Sequence, residues 1–188
     1  MDVRFLVVLG LLGSHGALLA GCQGETVQST TDGGTADTGS CEVANNLVLN
    51  GSFENAAGEA IANWPTAFKS INGGAYSCAR YAEWRTTQPF DRANQDIFPT
   101  EMAPVGATYE LAVYAKSLDG NTAPFSLYLE GASNDYSDRV TTAIRVDGWT
   151  RVSALFTLTK PTARITMAVR SSTELRVLGL DMMTLIRK

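Results

Sequence analysis

The side chains able to do chemistry in this sequence are few. Its single histidine, His15, lies in an apolar run at the N-terminus, so a chain processed beyond that run has no imidazole. Ser/His/Asp and Cys/His nucleophilic catalysis, His-ligated zinc and most pH switching then drop out together. The cysteines are Cys22, Cys41 and Cys78, and nothing else of their kind stands by to complete a metal site. Two alternating segments, Tyr109 to Lys116 and Phe125 to Glu130, turn Tyr114, Lys116, Tyr128 and Glu130 outward. A loop signal offers Arg80, Tyr81 and Trp84, with Gln95 shortly after. Aromatic rings flanked by planar polar groups suit ligands with apolar C–H faces and many hydroxyls, which is the surface of a sugar. Each tyrosine has a plainer reading as an amphipathic strand residue with a packed ring and a wet hydroxyl. Glu83, Asp91, Asp96 and Glu130 could in principle serve hydrolysis of a glycosidic bond by paired carboxylates, but no motif pairs any two of them. Glu54 directly follows Phe53, a residue suited to a core. A carboxylate at the lip of a core calls for a specific partner, and Asp181 is expected to come back to this stretch.

The elements that must position these groups are strands. The chain has 188 residues, a net charge of -4 and 45% hydrophobic content, which fits one soluble domain with a real core once the ends are trimmed. Its basic residues are scattered singly, so a nucleic-acid partner is not expected. Asn46 to Glu54 reads as the first strand, closing on an Asn50-Gly51 turn. Val152, Ala154, Phe156 and Leu158 form one core stripe; Ala163, Ile165, Met167 and Val169 form another, with Arg164, Thr166 and Arg170 outside. Val177 to Ile186 is apolar on both faces and should be central. Asp119-Gly120-Asn121, Asp147-Gly148, Lys160-Pro161 and Ser171-Ser172 mark turns, Gly73-Gly74 a loop, and Gly58 to Asn63 a short helical turn. No long amphipathic helix intervenes, which is the pattern of an all-β, antiparallel β-sandwich.

Phe5 to Ala20 is an apolar run too short and too glycine-broken to span a bilayer. Its close, Leu18-Leu19-Ala20-Gly21-Cys22, resembles the bacterial lipobox. The resemblance implies that residues 1–21 are a signal peptide and that Cys22 carries lipid, tethering the protein to a membrane through that anchor alone. An ordinary signal peptide ending near a cysteine is the alternative. Gln23 stands where an Asp would suggest inner-membrane retention, which points to an outer membrane or cell surface in a bacterial envelope. Residues 22–40 are then a lipidated cysteine and a polar linker that cannot bury enough surface to order itself. The domain is residues 41–188. Within it Cys41 and Cys78 form an even pair in an exported chain, expected as a disulfide, the alternative being two small buried hydrophobes.

The run Asn46-Leu47-Val48-Leu49-Asn50-Gly51-Ser52-Phe53-Glu54, followed by Trp64, resembles the opening of carbohydrate-binding modules of families 4, 9 and 22. Arg80 with Trp84, Gln95-Asp96-Ile97, the Tyr109 to Lys116 strand, Trp149, Phe156-Thr157-Leu158 and Leu180-Asp181-Met182 continue the likeness across the domain. The resemblance implies a galactose-binding-domain-like β-jelly-roll that binds glycans without catalysis and often carries a structural calcium. It places Arg80, Trp84 and Tyr114 at polar and stacking positions of a cleft, with Glu130 a looser match; on the residues alone Gln95 and Tyr128 join them, and Trp64 and Trp149 read as core or corner residues. In that fold Glu54 and Asp181 lie on neighbouring first and last strands and could share one Ca2+ with carbonyls of the Asn50–Phe53 turn; alternatively they cap backbone amides or pair with arginines. The leading expectation is non-catalytic binding of a polysaccharide or cell-surface glycan. The alternatives are a protein–protein or adhesion module lacking the sugar site and, less favoured, a glycan hydrolase.

Overall fold

The computed structural model describes residues 41–131 and 137–188, so the expected signal peptide, Cys22 and the linker lie outside the described residues. The period-two patterning becomes strands β1 (Ala56–Ala57), β2 (Ala60–Ile61), β3 (Phe68–Asn72), β4 (Arg80–Arg85), β5 (Arg92–Ile97) and β6 (Thr108–Ser117). They are followed by β7 (Ala123–Gly131), β8 (Ser137–Ile144), β9 (Thr150–Thr157), β10 (Ile165–Arg170) and β11 (Val177–Arg187). One sheet has seven strands in the order β1-β2-β3-β4-β11-β6-β9, and the other has four in the order β5-β10-β7-β8. The pairs are antiparallel. The sheets form a sandwich, and no helix occurs among the described residues.

Alternation supplies the core. Trp84, Leu111, Val113, Ala115, Leu178 and Leu180 face inward from the larger sheet, and Phe125, Leu127, Leu129, Ile165, Met167 and Val169 from the smaller. All are buried, and burying each large aliphatic side chain contributes about 1.5–3 kcal/mol. β11 lies between β4 and β6, which accounts for its apolar character on both faces.

The first expected strand is not one. Asn46 to Glu54 forms turns, because Asn50 (φ 50°) and Phe53 (φ 61°) take left-handed backbone that no ladder accepts. Its docking to β11 runs largely through the Asn46 side chain instead. Asn46 Oδ1 accepts from Val48 N and Leu185 N, and its Nδ2 donates to Met183 O at 3.0 Å. Met183 N donates to Gly51 O at 2.8 Å. A Cβ on Gly51 would lie 2.0 Å from Met183 O, so only glycine allows this approach. Phe53 is thereby delivered into an aromatic cluster with Trp64, Phe68 and Trp84, neighbouring ring centroids lying 5.2–6.1 Å apart. Gly58 to Asn63 is not a helical turn: it holds part of the β1–β2 hairpin, with Gly58 at φ 63° in its turn. Cys41 and Cys78 form a disulfide with Cα atoms 6.1 Å apart, tying the segment before the first turn to the loop before β4.

Candidate functional site

The outer face of the four-stranded sheet is a grid fixed by register. Asp96, Thr166 and Glu130 form one row, Asn94, Ala168, Tyr128 and Arg139 the next, and Arg92, Arg170, Ser126 and Thr141 the third. Ala168, in the middle of β10, is buried beneath its neighbours. Arg92 reaches across β10 to Glu130 with two bonds, at 3.2 and 2.7 Å, a bidentate pair that fixes both planar groups. Thr166 Oγ1 donates to Asp96 Oδ1 at 2.6 Å. Ser126 and Thr141 share a hydrogen bond at 2.7 Å. Tyr128 stands at the centre, 9% exposed, with Arg139 Nη1 3.5 Å from its hydroxyl. Burial pushes the Tyr128 phenol pKa up, but the Arg139 and Arg170 guanidiniums beside it more than offset this and hold it below the usual value.

Phe90 flanks this grid. Its ring is 49% exposed, and the Arg170 guanidinium lies 4.8 Å from its centroid. Arg170 Nε donates to Phe90 O, and Phe90 N donates to Ser172 O. The residue has φ 57°, a backbone state that a bulky side chain avoids unless its surroundings impose it. An exposed aromatic is therefore held in a fixed orientation beside a polar sheet face.

The sequence-predicted residues divide between the two outer faces and the interior. Tyr128 and Glu130 lie on this face. Tyr114 lies on the opposite outer face, because β6 belongs to the larger sheet and β7 to the smaller. Its ring is covered by Tyr76, stacked with centroids 3.5 Å apart, and burial, then Tyr76, push its phenol pKa up to about 12. Trp84 is a correction: β4 is a strand rather than a loop, and Trp84 points inward with no exposed surface, so it offers no ring face to a ligand. Gln95 is also interior. Its amide accepts from Leu49 N and donates to the carbonyls of Leu49 and Asn63, so it is spent on the N-terminal turns. Arg80 has the inward parity of β4 and bonds Ser70 Oγ at 3.0 Å. Trp64 is core, with Nε1 donating to Asn50 O. Trp149 is half-buried outside the larger sheet, where Lys116 Nζ lies 4.4 Å from its ring and 4.8 Å from that of Tyr81. Sequence reasoning missed Phe90, Arg92, Asn94 and Arg139. The available signals were a lone aromatic in a polar segment and the alternation of Arg92, Asn94 and Asp96 with Ala93, Gln95 and Ile97.

Glu54 and Asp181 cap backbone amides, the alternative to calcium. Glu54 Oε1 accepts from Ala79 N and Arg80 N. Asp181 Oδ2 accepts from Ser77 N and Oδ1 from Met182 N. The Asn50 carbonyl accepts from Phe53 N and Trp64 Nε1, and the Gly51 carbonyl from Met183 N. Among the described residues, three of the four carboxylate oxygens, Glu54 Oε1 and both of Asp181, accept from backbone amides, whereas calcium takes six to eight oxygens. The Cys41 and Cys78 sulfurs beside Glu54 are bonded to each other and are not ligands. The two carboxylates and the Asn50 and Gly51 carbonyls are thus already met by N–H donors. A separate hollow of about 380 Å³ is lined by Arg85, Thr86, Asp119, Leu175, Arg176 and Val177. There Arg176 pairs with Glu174 and Asp119 accepts from Val177 N, so its polar groups join loops to β11.

A jelly-roll sandwich of this kind is an architecture found in sugar-binding modules. The family model described as "Carbohydrate binding domain" matches residues 45–174, and the chain belongs to that family. Its fold is similar to the C-terminal family 22 carbohydrate-binding module of Clostridium thermocellum Xyn10B, with TM-score 0.59 and 17% identity over 78% of this chain and 97% of that one. It is similar to a family 61 module in complex with β-1,4-galactotriose, with TM-score 0.55 and 17% identity over 76% and 99% of the two chains. It is also similar to the CBM22-1 xylan-binding domain of Paenibacillus barcinonensis Xyn10C, with TM-score 0.54 and 11% identity over 66% and 83%. No curated protein matches the sequence. Identities this low bear on the fold and not on the ligand.

Proposed function

We propose that the protein binds a polysaccharide or cell-surface glycan, without cleaving it, on the outer face of the four-stranded sheet. Phe90 carries the reading: a half-exposed ring held in strained backbone against Arg170, at the end of the sheet face that also bears Tyr128 and the Arg92–Glu130 pair. The ring supplies a stacking surface, and the planar guanidinium, amide and carboxylate groups supply directional partners for hydroxyls. The carboxylates support binding over hydrolysis. Glu130 has both oxygens on Arg92, and Asp96 is held by Thr166 with Arg164 3.8 Å away. Binding across a glycan array and by affinity electrophoresis tests this. Phe90→Ala should weaken binding about tenfold or more, while Leu155→Ala, an exposed residue outside the larger sheet, should not. Absence of glycan binding, or equal binding by Phe90→Ala, would favour the protein–protein reading.

The tether belongs to the same proposal: Cys22 carries lipid and holds the domain at a bacterial outer membrane or cell surface. The lipobox-like Leu18–Cys22 run and the polar segment after it support this. Metabolic palmitate labelling should be lost in Cys22→Ser; labelling that persists would overturn it.

A further inference from the structure

We infer that the glycan lies lengthwise along β5, with one sugar stacked on Phe90, a later sugar stacked on Phe98, and the Asn94 amide bonded to the chain between them. The inference rests on the sugar-binding reading above and gives its mode: consecutive sugars of an extended chain rather than a single residue. Phe90, Arg92, Asn94, Asp96 and Phe98 are alternate residues of one segment. Ala93, Gln95 and Ile97 between them are buried, so the pleat turns Arg92, Asn94 and Asp96 to the outer face. Ile97 pairs with Ile165 and packs into the core. Phe98 keeps the outward parity one step past the strand, because Pro99 holds the residue before it in extended backbone. Its ring is 70% exposed, the highest value for a large hydrophobic among the described residues. Phe90 has left the strand at the other end, yet Arg170, the outward residue in register with Arg92, holds its ring at the same face.

Asn94 stands midway between the two phenylalanines. Its side chain is exposed and makes no hydrogen bond with the described residues, so an amide donor and acceptor are both open to a hydroxyl. Its neighbours in the stripe are engaged on the inner side: Arg92 reaches over β10 to Glu130, and Asp96 accepts from Thr166 of β10. β5 is the edge strand of its sheet, so no further strand flanks the stripe on its outer side. The strand has six residues and spans roughly 20 Å, further than one sugar ring reaches. Both phenylalanines are therefore used together only by a chain of several sugars. A stacked ring is a modest contact by itself, but two on one chain add without a second loss of rigid-body freedom.

Titration calorimetry of the full protein with cello-, xylo-, manno- and β-1,4-galacto-oligosaccharides, from disaccharide to hexasaccharide, tests this. In a series that binds, affinity should rise about tenfold or more from the shortest to the longest member. Phe98→Ala should remove that rise and leave disaccharide binding as in the wild type. Asn94→Ala should weaken hexasaccharide binding about fivefold. Both residues are exposed, so both variants should melt with the wild type. Met102→Ala, 63% exposed in the loop after β5 but off the stripe, should change neither quantity. A flat dependence on length, a rise that survives Phe98→Ala, or an equal loss in Met102→Ala overturns the inference and spares the sugar-binding reading. So does failure of all four series while an array glycan binds. Binding to none of the series and to no array glycan overturns both.

Discussion

Asp181 has the outward parity of β11 and yet no solvent exposure, because the loop before β4 folds over it. Burial pushes its pKa up to about 6; the Ser77, Met182 and Tyr76 amides pull the other way, and the Glu54 charge adds to the rise. An acid whose folded pKa lies above its unfolded value of 3.8 binds an extra proton in the folded state between those limits. The corresponding stability is present below about pH 4 and is lost as pH rises through about 6, with a size on the order of 3 kcal/mol. Glu110 and Asp119 work oppositely. Their pKa values lie below the usual 4.5 and 3.8, so the stability they add is lost only at more acid pH. The interval from about pH 4.5 to 6 therefore belongs to Asp181. The melting temperature should fall across that interval in the wild type and stay flat in Asp181→Asn. A parallel slope in both proteins would assign the effect to another group. Legibility at this scale was partial. Glu54 and Asp181 do converge, but their charges are met by peptide N–H groups, whose direction depends on turns that no residue pattern announces.

Strands were read well where one face is buried and one wet. Phe125, Leu127 and Leu129 against Ser126, Tyr128 and Glu130 is such a case, and β7 follows it. Alternation reports inside against outside and is silent on which sheet a strand joins. That is why Tyr114 and Tyr128, both outward, were placed together although β6 and β7 lie in different sheets. Arg80 to Trp84 misled for a related reason. Arginine, tyrosine, glutamate and tryptophan alternate there in a strand whose inward residue is the largest in the core, whereas their polarity read as a loop. Asn46 to Glu54 erred the other way, since its apolar residues suggested a strand that left-handed Asn50 and Phe53 prevent. Phe90 was hidden because its exposure and its contact with Arg170 depend on the pairing of two loops distant in sequence, through Phe90 N to Ser172 O and Ser171 N to Asp91 O.

At the scale of the whole molecule, the problem is holding the N-terminal turns and the loop before β4 onto a sandwich whose last strand is central. The Gly73–Ala79 loop lies across the outer side of β6 and β11. Gly74 O accepts from Lys116 Nζ, Tyr76 stacks on Tyr114, and Ser77 N bonds Asp181. The Cys41–Cys78 bridge then ties this loop to the start of the domain, beside Glu54, which holds Ala79 N and Arg80 N. Cross-link and carboxylate–amide bonds together occupy the place where a structural ion was expected. A bridge with sequence separation 37 stabilises by about 3–4 kcal/mol on the chain-entropy account. Reductant, or Cys41→Ser with Cys78→Ser, should therefore lower the melting temperature clearly, while EDTA should leave it unchanged. The two treatments act on different candidates for one task, so the comparison is decisive. A chelator-induced drop that Asp181→Ala abolishes would restore calcium to the clasp and show that the amide bonds give way to an ion. A drop with reductant alone would make covalent closure, set by two cysteines thirty-seven positions apart, the device that holds the N-terminal turns in place.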